Sequence, residues 1–438
     1  MRRIRVSRPY AQFSKRRCRT SRHDHAGNTA RQLLLLRHRR DAFRKGSERG
    51  HGVGPAAGPA GYGAVGRRRV LAAAIEAPCA IPPFDQAAMD GYAISVTGRR
   101  GVPLVLPVAG RTRAGDPQGV LAPGAAHRIM TGAALPKGAD AVVMQEQTTR
   151  RGDLVQFAFD AAPGAHIRRA GEDVRQGASV LRPGCMIGWP EIALLAAIGI
   201  DRVPVARRVR IAVVTTGSEL RKAGEPLADG AIYDSNGPLL AALLREPNTE
   251  VVLSTVHDDT TAIARVLEDS ARSADLIVTT AGMSVGEEDH VRNAISRAGG
   301  QLEIVKVAMK PGKPLAIGKV GEACFVGLPG NPQAAAFGAL AFARPVIGTL
   351  LGRTPARSIT AELAFMCSGK ADRTELVPVR LTVEQGRLTA SRSGPDGSHR
   401  MMPMVSADAI AIMPGASTPA EPGMPVEVLP FSHGCFGG

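Results

Sequence analysis

The sequence predicts a multidomain protein of the α/β plus β class. A three-layer α/β/α domain stands in the middle, mostly β domains precede it, and a small C-terminal β-barrel-like domain follows. Three observations carry this expectation. Between Val209 and Leu351 short apolar runs alternate with helical stretches. On either side the apolar runs are short and punctuated by Gly and Pro, as in sheets. The chain has 438 residues, 44% of them hydrophobic, which is too long for one core and divides into domains of roughly 100–200 residues. The boundaries read as 1–69, 70–206, 207–354 and 355–438.

Residues 1–69 hold 19 Lys and Arg against Asp24, Asp41 and Glu48, so they carry the whole formal charge of +16 and leave the body neutral. Their Arg clusters run into a Gly/Pro/Ala stretch, Gly50 to Gly66, without a sustained helical or strand period. Such a segment does not fold alone. The charge would suit nucleic acid, but no stacking series of aromatics interleaves the clusters, which argues against that partner. The longest early apolar run, Leu33 to Leu36, is too short for a signal-peptide core or a membrane span. The six cysteines are scattered without a CxxC pair or zinc spacing, as reduced thiols of a cytoplasmic protein are.

From 70 to 206, runs such as Ala141–Met144 and Leu154–Phe159 read as short strands, and Glu191–Ile200 as a short buried helix or a connecting strand. From 209 the reading is strand Val209–Thr215, helix from Pro238 to Leu244 with N-caps offered by Asp234-Ser235-Asn236, strand Glu250–Val256, helix Thr260–Ser270 and strand Leu276–Thr280. A helix near Glu288–Ser296, strands Leu302–Met309, Leu315–Ile317 and Cys324–Gly327, and a long helix Pro332–Leu351 follow. This order predicts a parallel sheet with helices on both faces. Ligands of open parallel sheets bind beyond the carboxyl ends of the strands, so the loops after Thr215, Val256, Thr280, Met309 and Gly327 should converge. Glu375–Leu381 and Pro425–Leu429 read as strands of the last domain.

Several strings in these loops could carry chemistry. Thr216-Gly217 closes the first strand, and Gly282-Met283-Ser284-Val285-Gly286 lies between a strand and a helix N-terminus, where free N–H groups and the dipole favour an anion. The same glycines would also make a tight turn. Lys310-Pro311-Gly312-Lys313-Pro314 puts two ammonium groups on a stiffened turn, either a solvated loop or a clamp for a phosphate or molybdate dianion. Leu328-Pro329-Gly330-Asn331-Pro332 has good capping grammar, with Asn331 as N-cap and Pro332 at the first helical position.

Carboxylates gather at the same edge: Glu219, then Asp258 and Asp259, then Glu287, Glu288 and Asp289. Hard oxygens suit Mg²⁺, which takes one or two carboxylates and bridges substrate phosphates; each acid alone reads as a solvated loop residue. Upstream, Asp90 and Thr131 each stand beside a Gly among apolar residues, where turn formation through side-chain to backbone bonds is the plain reading.

Taken together, PPFDQAAMDGYA, RIMTGA, GEDV, TTGSEL, IYDSNGPLL, GMSVGEEDH, KPGKPLAIG and GLPGNP, running in order from about Gly66 to Phe431, resemble the molybdopterin molybdenumtransferase family. The resemblance implies insertion of molybdate into adenylylated molybdopterin with release of AMP, and a molybdopterin-binding α/β domain similar to that of the molybdopterin adenylyltransferases and gephyrin. It implies an elongated homodimer in which Asp90 and Thr131 reach a site shared between chains. It further implies that Glu219, Asp258, Asp259 and Asp289 serve the Mg²⁺ or molybdate region, with Asp90, Thr131, Glu219 and Asp289 as the catalytic set. Thr216, Gly217, Gly282, Ser284, Gly286, Lys310, Lys313, Pro329, Gly330 and Pro332 would hold or shape the substrate site.

Departures from the family pattern are Gln86-Ala87 for Asn-Ser, Ala281 for Gly, His290 for Tyr, and Pro247-Asn248-Thr249 in place of a Leu-Gly turn. A Cβ at Ala281 would obstruct close backbone approach to phosphate if that position requires positive φ. About 65 N-terminal residues have no family counterpart, and the expectation is that a displaced start or frame has replaced the usual first helix. A scaffold of the same fold without transfer activity and a molybdopterin adenylyltransferase are the competing readings.

Overall fold

The computed structural model describes residues 68–431 except 98–102, 159, 281–289, 313, 354–358, 369–372 and 416–418. The reading of residues 1–69 therefore lies outside the described residues up to residue 67.

The region before the α/β domain folds as two lobes. In the first, Ile75–Glu76 pairs antiparallel with Ser179–Leu181, and Leu71, Ile75, Leu181, Ile187, Leu195, Ile198, Val203 and Val205 form its core. Helix α1 (Trp189–Ala197) belongs to this lobe. Of the two readings of Glu191–Ile200 the helix is the one that forms: Leu195 and Ile198 sit in the lobe core and Ile192, Leu194 and Ile200 pack against it, while Trp189, before that span, is 76% exposed.

The second lobe is a six-stranded sheet built from β1 (Gly91–Ile94), β2 (Leu104–Thr112), β3 (Ala126–Ile129), β4 (Ala141–Met144), β5 (Thr148–Arg151) and β6 (Leu154–Phe157). Its order is β4-β1-β3-β2-β6-β5. Alternate residues Tyr92, Ile94, Leu106, Ala126, Val143, Val155 and Phe157 face one core, the period-2 pattern of half-buried strands. Gly91 is required there by close approach, because a Cβ would lie 1.9 Å from the Val143 carbonyl oxygen.

The α/β domain holds β7 (Val209–Thr216), α2 (Asn236–Leu244), β8 (Thr249–Val256), α3 (Thr260–Ser273), β9 (Leu276–Thr280), α4 (His290–Arg297), β10 (Gln301–Lys306), β11 (Pro314–Val320) and β12 (Ala323–Leu328). Helix α5 (Pro332–Gly338) continues through a π-helical turn, Ala339–Ala343, into α6 (Arg344–Leu350). The strand order is β8-β7-β9-β12-β11-β10. One face packs Val209, Ile211, Val213, Leu276, Val278 and Val326 against α2, α5 and α6; the other packs Val214, Ile277 and Phe325 against α3 and α4. The three layers are therefore present.

The sheet is mixed, not wholly parallel. β8, β7, β9 and β12 run parallel, but β11 is antiparallel to both β12 and β10. The reason lies in the connections: β11 and β12 are joined by two residues, Gly321 and Glu322, with Gly321 at φ +56°. A parallel crossover needs a dozen or more residues, whereas two suffice for a hairpin. Since β10 still ends and β11 still begins at the edge where the parallel strands end, the 307–313 loop joins the others there.

Pro332–Leu350 is long and apolar enough to cross a membrane, yet 61% of it is buried inside the fold. Its apolarity serves the domain core.

The strand expected over Leu302–Met309 stops at Lys306; Met309–Lys310 leaves the sheet and pairs with Thr374–Glu375. That pairing joins the α/β domain to the last domain, a closed five-stranded barrel. Its strands are β13 (Ile359–Leu363), β14 (Thr374–Glu384), β15 (Arg387–Arg392), β16 (Ala409–Met413) and β17 (Pro425–Pro430). The ring runs β14-β15-β13-β17-β16 and closes back onto β14.

Candidate functional site

At the carboxyl edge of the six-stranded sheet of the α/β domain, polar groups replace the aliphatic run of the strands. Thr216, at the end of β7, and Thr279, in β9, follow Val214 and Ile277 at two-residue spacing and so face the side covered by α3 and α4. Both are buried, and among the described residues neither hydroxyl has a hydrogen-bond partner. Buried hydroxyls are nearly always paired, so two orphans at one strand edge make that edge the candidate site.

The turn after β7 is tight. A Cβ on Gly217 would lie 2.7–2.8 Å from the Glu219 carboxylate oxygens and Leu220 Cγ. Glu219 therefore folds back over Gly217. Ser218 Oγ accepts from the Asp258 N–H at 3.4 Å, which brings the first two loops together. Asp259 Oδ1 accepts from the Ala262 N–H at 2.7 Å and caps α3; Asp258 keeps its carboxylate at the exposed strand end.

On the opposite side of β7, Thr215 Oγ1 donates to Asp234 Oδ2 at 2.7 Å. Asp234 Oδ1 accepts from the Gly237 N–H at 2.9 Å. Asp234 is thus the side chain that caps α2, which begins two residues before Pro238. Asn236 Nδ2 donates to the Gly330 carbonyl at 2.7 Å, and its buried Oδ1 has no partner. Asn331 Nδ2 reaches Ser398 Oγ of the barrel domain at 3.1 Å, while Pro332 opens α5. Pro329 packs beside Gly312, which sits at φ +111° and has no room for a Cβ against Met309 Cε at 2.9 Å.

Lys310 is not a free ammonium. Its Nζ lies 3.6 Å from Glu375 Oε1, and Arg373 Nε lies 3.9 Å from the same oxygen. Glu375 is 8% exposed. Two cations on one carboxylate leave a net positive charge at the sheet edge, held on a ladder between two domains.

Asp90 and Thr131 are brought together, though not with these loops. Asp90 Oδ1 accepts from both the N–H and the hydroxyl of Thr131, each at 2.7 Å. The Thr131 hydroxyl and then its N–H, with Arg128 nearby, hold the Asp90 carboxyl below the usual carboxylate range. Gly132, at φ +79°, makes the turn. Arg128 donates to the Gly91 carbonyl at 2.9 Å and stacks 5.1 Å from the Tyr92 ring centroid. Phe84 and Met89 beside Asp90 are exposed.

Gly282, Ser284, Gly286, Asp289 and Lys313 lie outside the described residues, as does Ala281. Among the described residues no three His, Cys, Asp or Glu side chains form a metal-binding group. Asp258 and the capping Asp259 are oxygen donors of the type and number Mg²⁺ takes from a protein when phosphates and water complete its shell, so the donor chemistry fits that ion.

Asn236, Arg373, Glu375 and Ser398 escaped the sequence reading as site residues. Glu375 left a usable signal: a carboxylate in the apolar run Thr374-Glu375-Leu376-Val377 must find a cation when buried. Ser398 left none. The turn at Pro247-Asn248-Thr249, where the family pattern differs, is held by two side-chain bonds, although the buried Asn248 Oδ1 has no partner among the described residues. Asn248 Nδ2 donates to the Arg68 carbonyl at 2.6 Å, and the Thr249 hydroxyl donates to the Leu244 carbonyl at 2.7 Å.

Fold and site together define a multidomain α/β protein whose carboxyl sheet edge, the candidate site, is closed on one side by a C-terminal barrel. Three family models cover the chain in order: the MoeA N-terminal region (domains I and II) over residues 63–199, a probable molybdopterin binding domain over 212–349, and the MoeA C-terminal region (domain IV) over 360–431. The chain is 38% identical over 356 residues to molybdopterin molybdenumtransferase 2 of Mycobacterium tuberculosis, covering 79% of this chain and 88% of that one. It is 36% identical over 372 residues to the molybdopterin molybdenumtransferase of Haemophilus influenzae, covering 83% and 92%. The molybdopterin biosynthesis MoeA protein of Pyrococcus horikoshii superposes with a TM-score of 0.71 at 28% identity, covering 83% and 92% of the two chains. The chain belongs to the molybdopterin molybdenumtransferase family.

Proposed function

We propose that this protein is a cytoplasmic, Mg²⁺-dependent molybdopterin molybdenumtransferase that inserts molybdate into adenylylated molybdopterin and releases AMP. The observation that carries this reading is the sharing of the single Glu375 carboxylate by Lys310 and Arg373, at the same edge as the unpartnered Thr216 and Thr279 hydroxyls. A preorganised positive site with waiting hydroxyl groups suits an oxyanion and requires little rearrangement as charge shifts.

In this reading Lys310 and Arg373 hold molybdate or phosphate oxygens, Thr216 and Thr279 orient the substrate, and the Asn236–Gly330 bond fixes the loop around Pro329 and Pro332. Asp258, Asp259 and Asp289 would hold Mg²⁺, which when bound neutralises phosphate oxygens. Glu219 and the 282–286 loop with Lys313 would line the remaining wall. The chemistry is positioning and charge neutralisation, with no protein nucleophile required.

Asp90 and Thr131 of a second copy would complete the site in a homodimer. The exposed Phe84 and Met89 beside Asp90 support this.

Purified protein supplied with adenylylated molybdopterin, molybdate and Mg²⁺ tests the reading. Molybdate-dependent release of AMP is expected. AMP retention with full molybdate present contradicts it, and adenylylation of molybdopterin from ATP would instead indicate the alternative reaction.

A further inference from the structure

The chain crosses between the first and second lobes twice, outward through residues 82–86 and back through residues 168–171. Ile81 and Val174 pack on the core of the first lobe, whereas Ala87 and Ile167 belong to an apolar cluster of the second, so burial bounds this two-stranded neck. Backbone bonds join the crossings at either end. Toward the first lobe, the Gly171 N–H donates to the Pro82 carbonyl at 2.9 Å and the Asp173 N–H to the Ile81 carbonyl at 3.1 Å. Toward the second, Gln86-Ala87 pairs antiparallel with Ile167-Arg168. Between these pairings the Asp85 carboxylate reaches across. Its Oδ1 accepts from the Ala170 N–H at 2.8 Å and its Oδ2 from Arg169 Nη1 at 2.6 Å. Glu172 accepts from the Arg169 N–H at 2.9 Å and fixes the turn that presents the Ala170 N–H.

We propose that the Asp85 carboxylate is a clamp across this neck that fixes the angle of the second lobe, and that Asp85 is thereby a positioning residue for Asp90 and Thr131. The lobe-angle role stands on the neck alone; its consequence for turnover rests on the shared-site reading above. The backbone around Asp85 is stitched to the turn that holds Asp90. The Asp85 carbonyl accepts from the Leu135 N–H at 2.9 Å, the Ala87 N–H donates to the Ala133 carbonyl at 3.0 Å, and the Gly132 N–H donates to the Ala87 carbonyl at 2.8 Å. A rotation at the neck therefore carries Thr131 and Asp90 with it. Pro83, Phe84, Arg169 and Ala170 are exposed, so directional bonds rather than apolar packing set the angle there. The Ala170 N–H, opposed by partial burial and assisted by Arg169, holds the Asp85 carboxyl below the usual carboxylate range. Both of its bonds are charge-assisted, the stronger and more directional kind.

The test uses the full-length protein with Asp85→Ala, and with Asp85→Asn, which keeps an oxygen to accept from the Ala170 N–H. Spin labels are attached through azido residues introduced at the exposed positions Leu154, in the second lobe, and Trp189, in the first. Labelled chains are diluted among unlabelled copies, so that each distance is read within one chain. Asp85→Ala is expected to broaden the narrow distance distribution of the parent, and Asp85→Asn to keep it narrow. The melting temperature should stay close to that of the parent, because a half-exposed ion pair contributes little to stability. In molybdate-dependent AMP release, Asp85→Ala should lower kcat by about 10-fold or more, since a misplacement of about 1 Å costs up to about 100-fold. Its KM for adenylylated molybdopterin should hold, because the Lys310 edge is untouched, and Asp85→Asn should recover most of the lost kcat. An unchanged distribution in Asp85→Ala, or one as broad in Asp85→Asn, would overturn the clamp. A broadened distribution with full kcat would overturn the positioning role. Undiminished AMP release by Asp90→Ala would instead overturn the shared-site reading, and the distances would still decide the clamp.

Discussion

The two edges of the six-stranded α/β sheet treat their polar groups in opposite ways. At the amino edge Asp275 accepts from Arg207 Nη1 at 2.7 Å and Nη2 at 2.8 Å, and from the Arg210 N–H at 2.8 Å. Its own carbonyl accepts from the Cys324 N–H. Burial pushes the Asp275 carboxyl up, but the Arg207 and Arg210 bonds outweigh it and hold the group at about 2. At the carboxyl edge two buried threonine hydroxyls have no partner among the described residues, and two cations share one carboxylate. Saturated pairing marks a group that serves the fold. Unsaturated pairing at the strand ends leaves groups that, in the proposed function, meet another molecule; the buried Asn248 Oδ1 at the amino edge is the exception to the contrast.

The largest expected effect lies at the carboxyl edge. Lys310→Ala should cut molybdate-dependent AMP release by about 100-fold or more, with little change in melting temperature because Arg373 still neutralises Glu375. A melting temperature that falls in step with activity would erase the distinction between the edges. Asp275→Asn should do the reverse. It should cost about 2–3 kcal/mol of stability in denaturant unfolding while leaving kcat per folded molecule unchanged, and a kcat deficit in the folded fraction would count against this assignment.

The same carboxylate makes a pH prediction. Because its folded-state pKa lies below its ordinary value of 3.8, its contribution is fully present above that value and disappears as pH falls from about 4 through about 2. Acid unfolding curves of the parent and of Asp275→Asn should therefore converge across that window. Curves that stay parallel would show that another group dominates.

Thr279→Val has the smallest expected effect on stability and sharpens the comparison most. Removing an unpaired buried hydroxyl should leave stability unchanged or raise it by up to about 1 kcal/mol, yet the KM for adenylylated molybdopterin should rise several-fold. An unaffected KM would reduce Thr279 to a packing residue.

Much of this was legible in the residues themselves. Periodicity located β7, β8, β9 and β12 and the helices between them, and strand-end loops pointed to Thr216, Gly217, Asp258, Lys310 and Gly330 because an open parallel sheet binds beyond its strand ends. The antiparallel course of β11 was missed, since a short apolar run does not declare its direction and only the two-residue link at Gly321 fixes it. The pairing of Met309–Lys310 with Thr374–Glu375 was also missed. It joins segments more than sixty residues apart, and nothing local to either announces the other. Arg373 and Ser398 enter the site through that long-range docking, which explains why their neighbours in sequence gave no hint.

In the proposed homodimer each site would take Lys310 from one copy and Asp90 from the other. The direct measurement is complementation of Lys310→Ala and Asp90→Ala proteins, each inactive alone, unfolded and refolded together in equal amounts. Random pairing makes half the dimers mixed, and each mixed dimer holds one intact site, so recovery of about a quarter of the parent rate of molybdate-dependent AMP release is predicted. A mixture as inactive as its components, although mixed dimers form, would contradict the shared site.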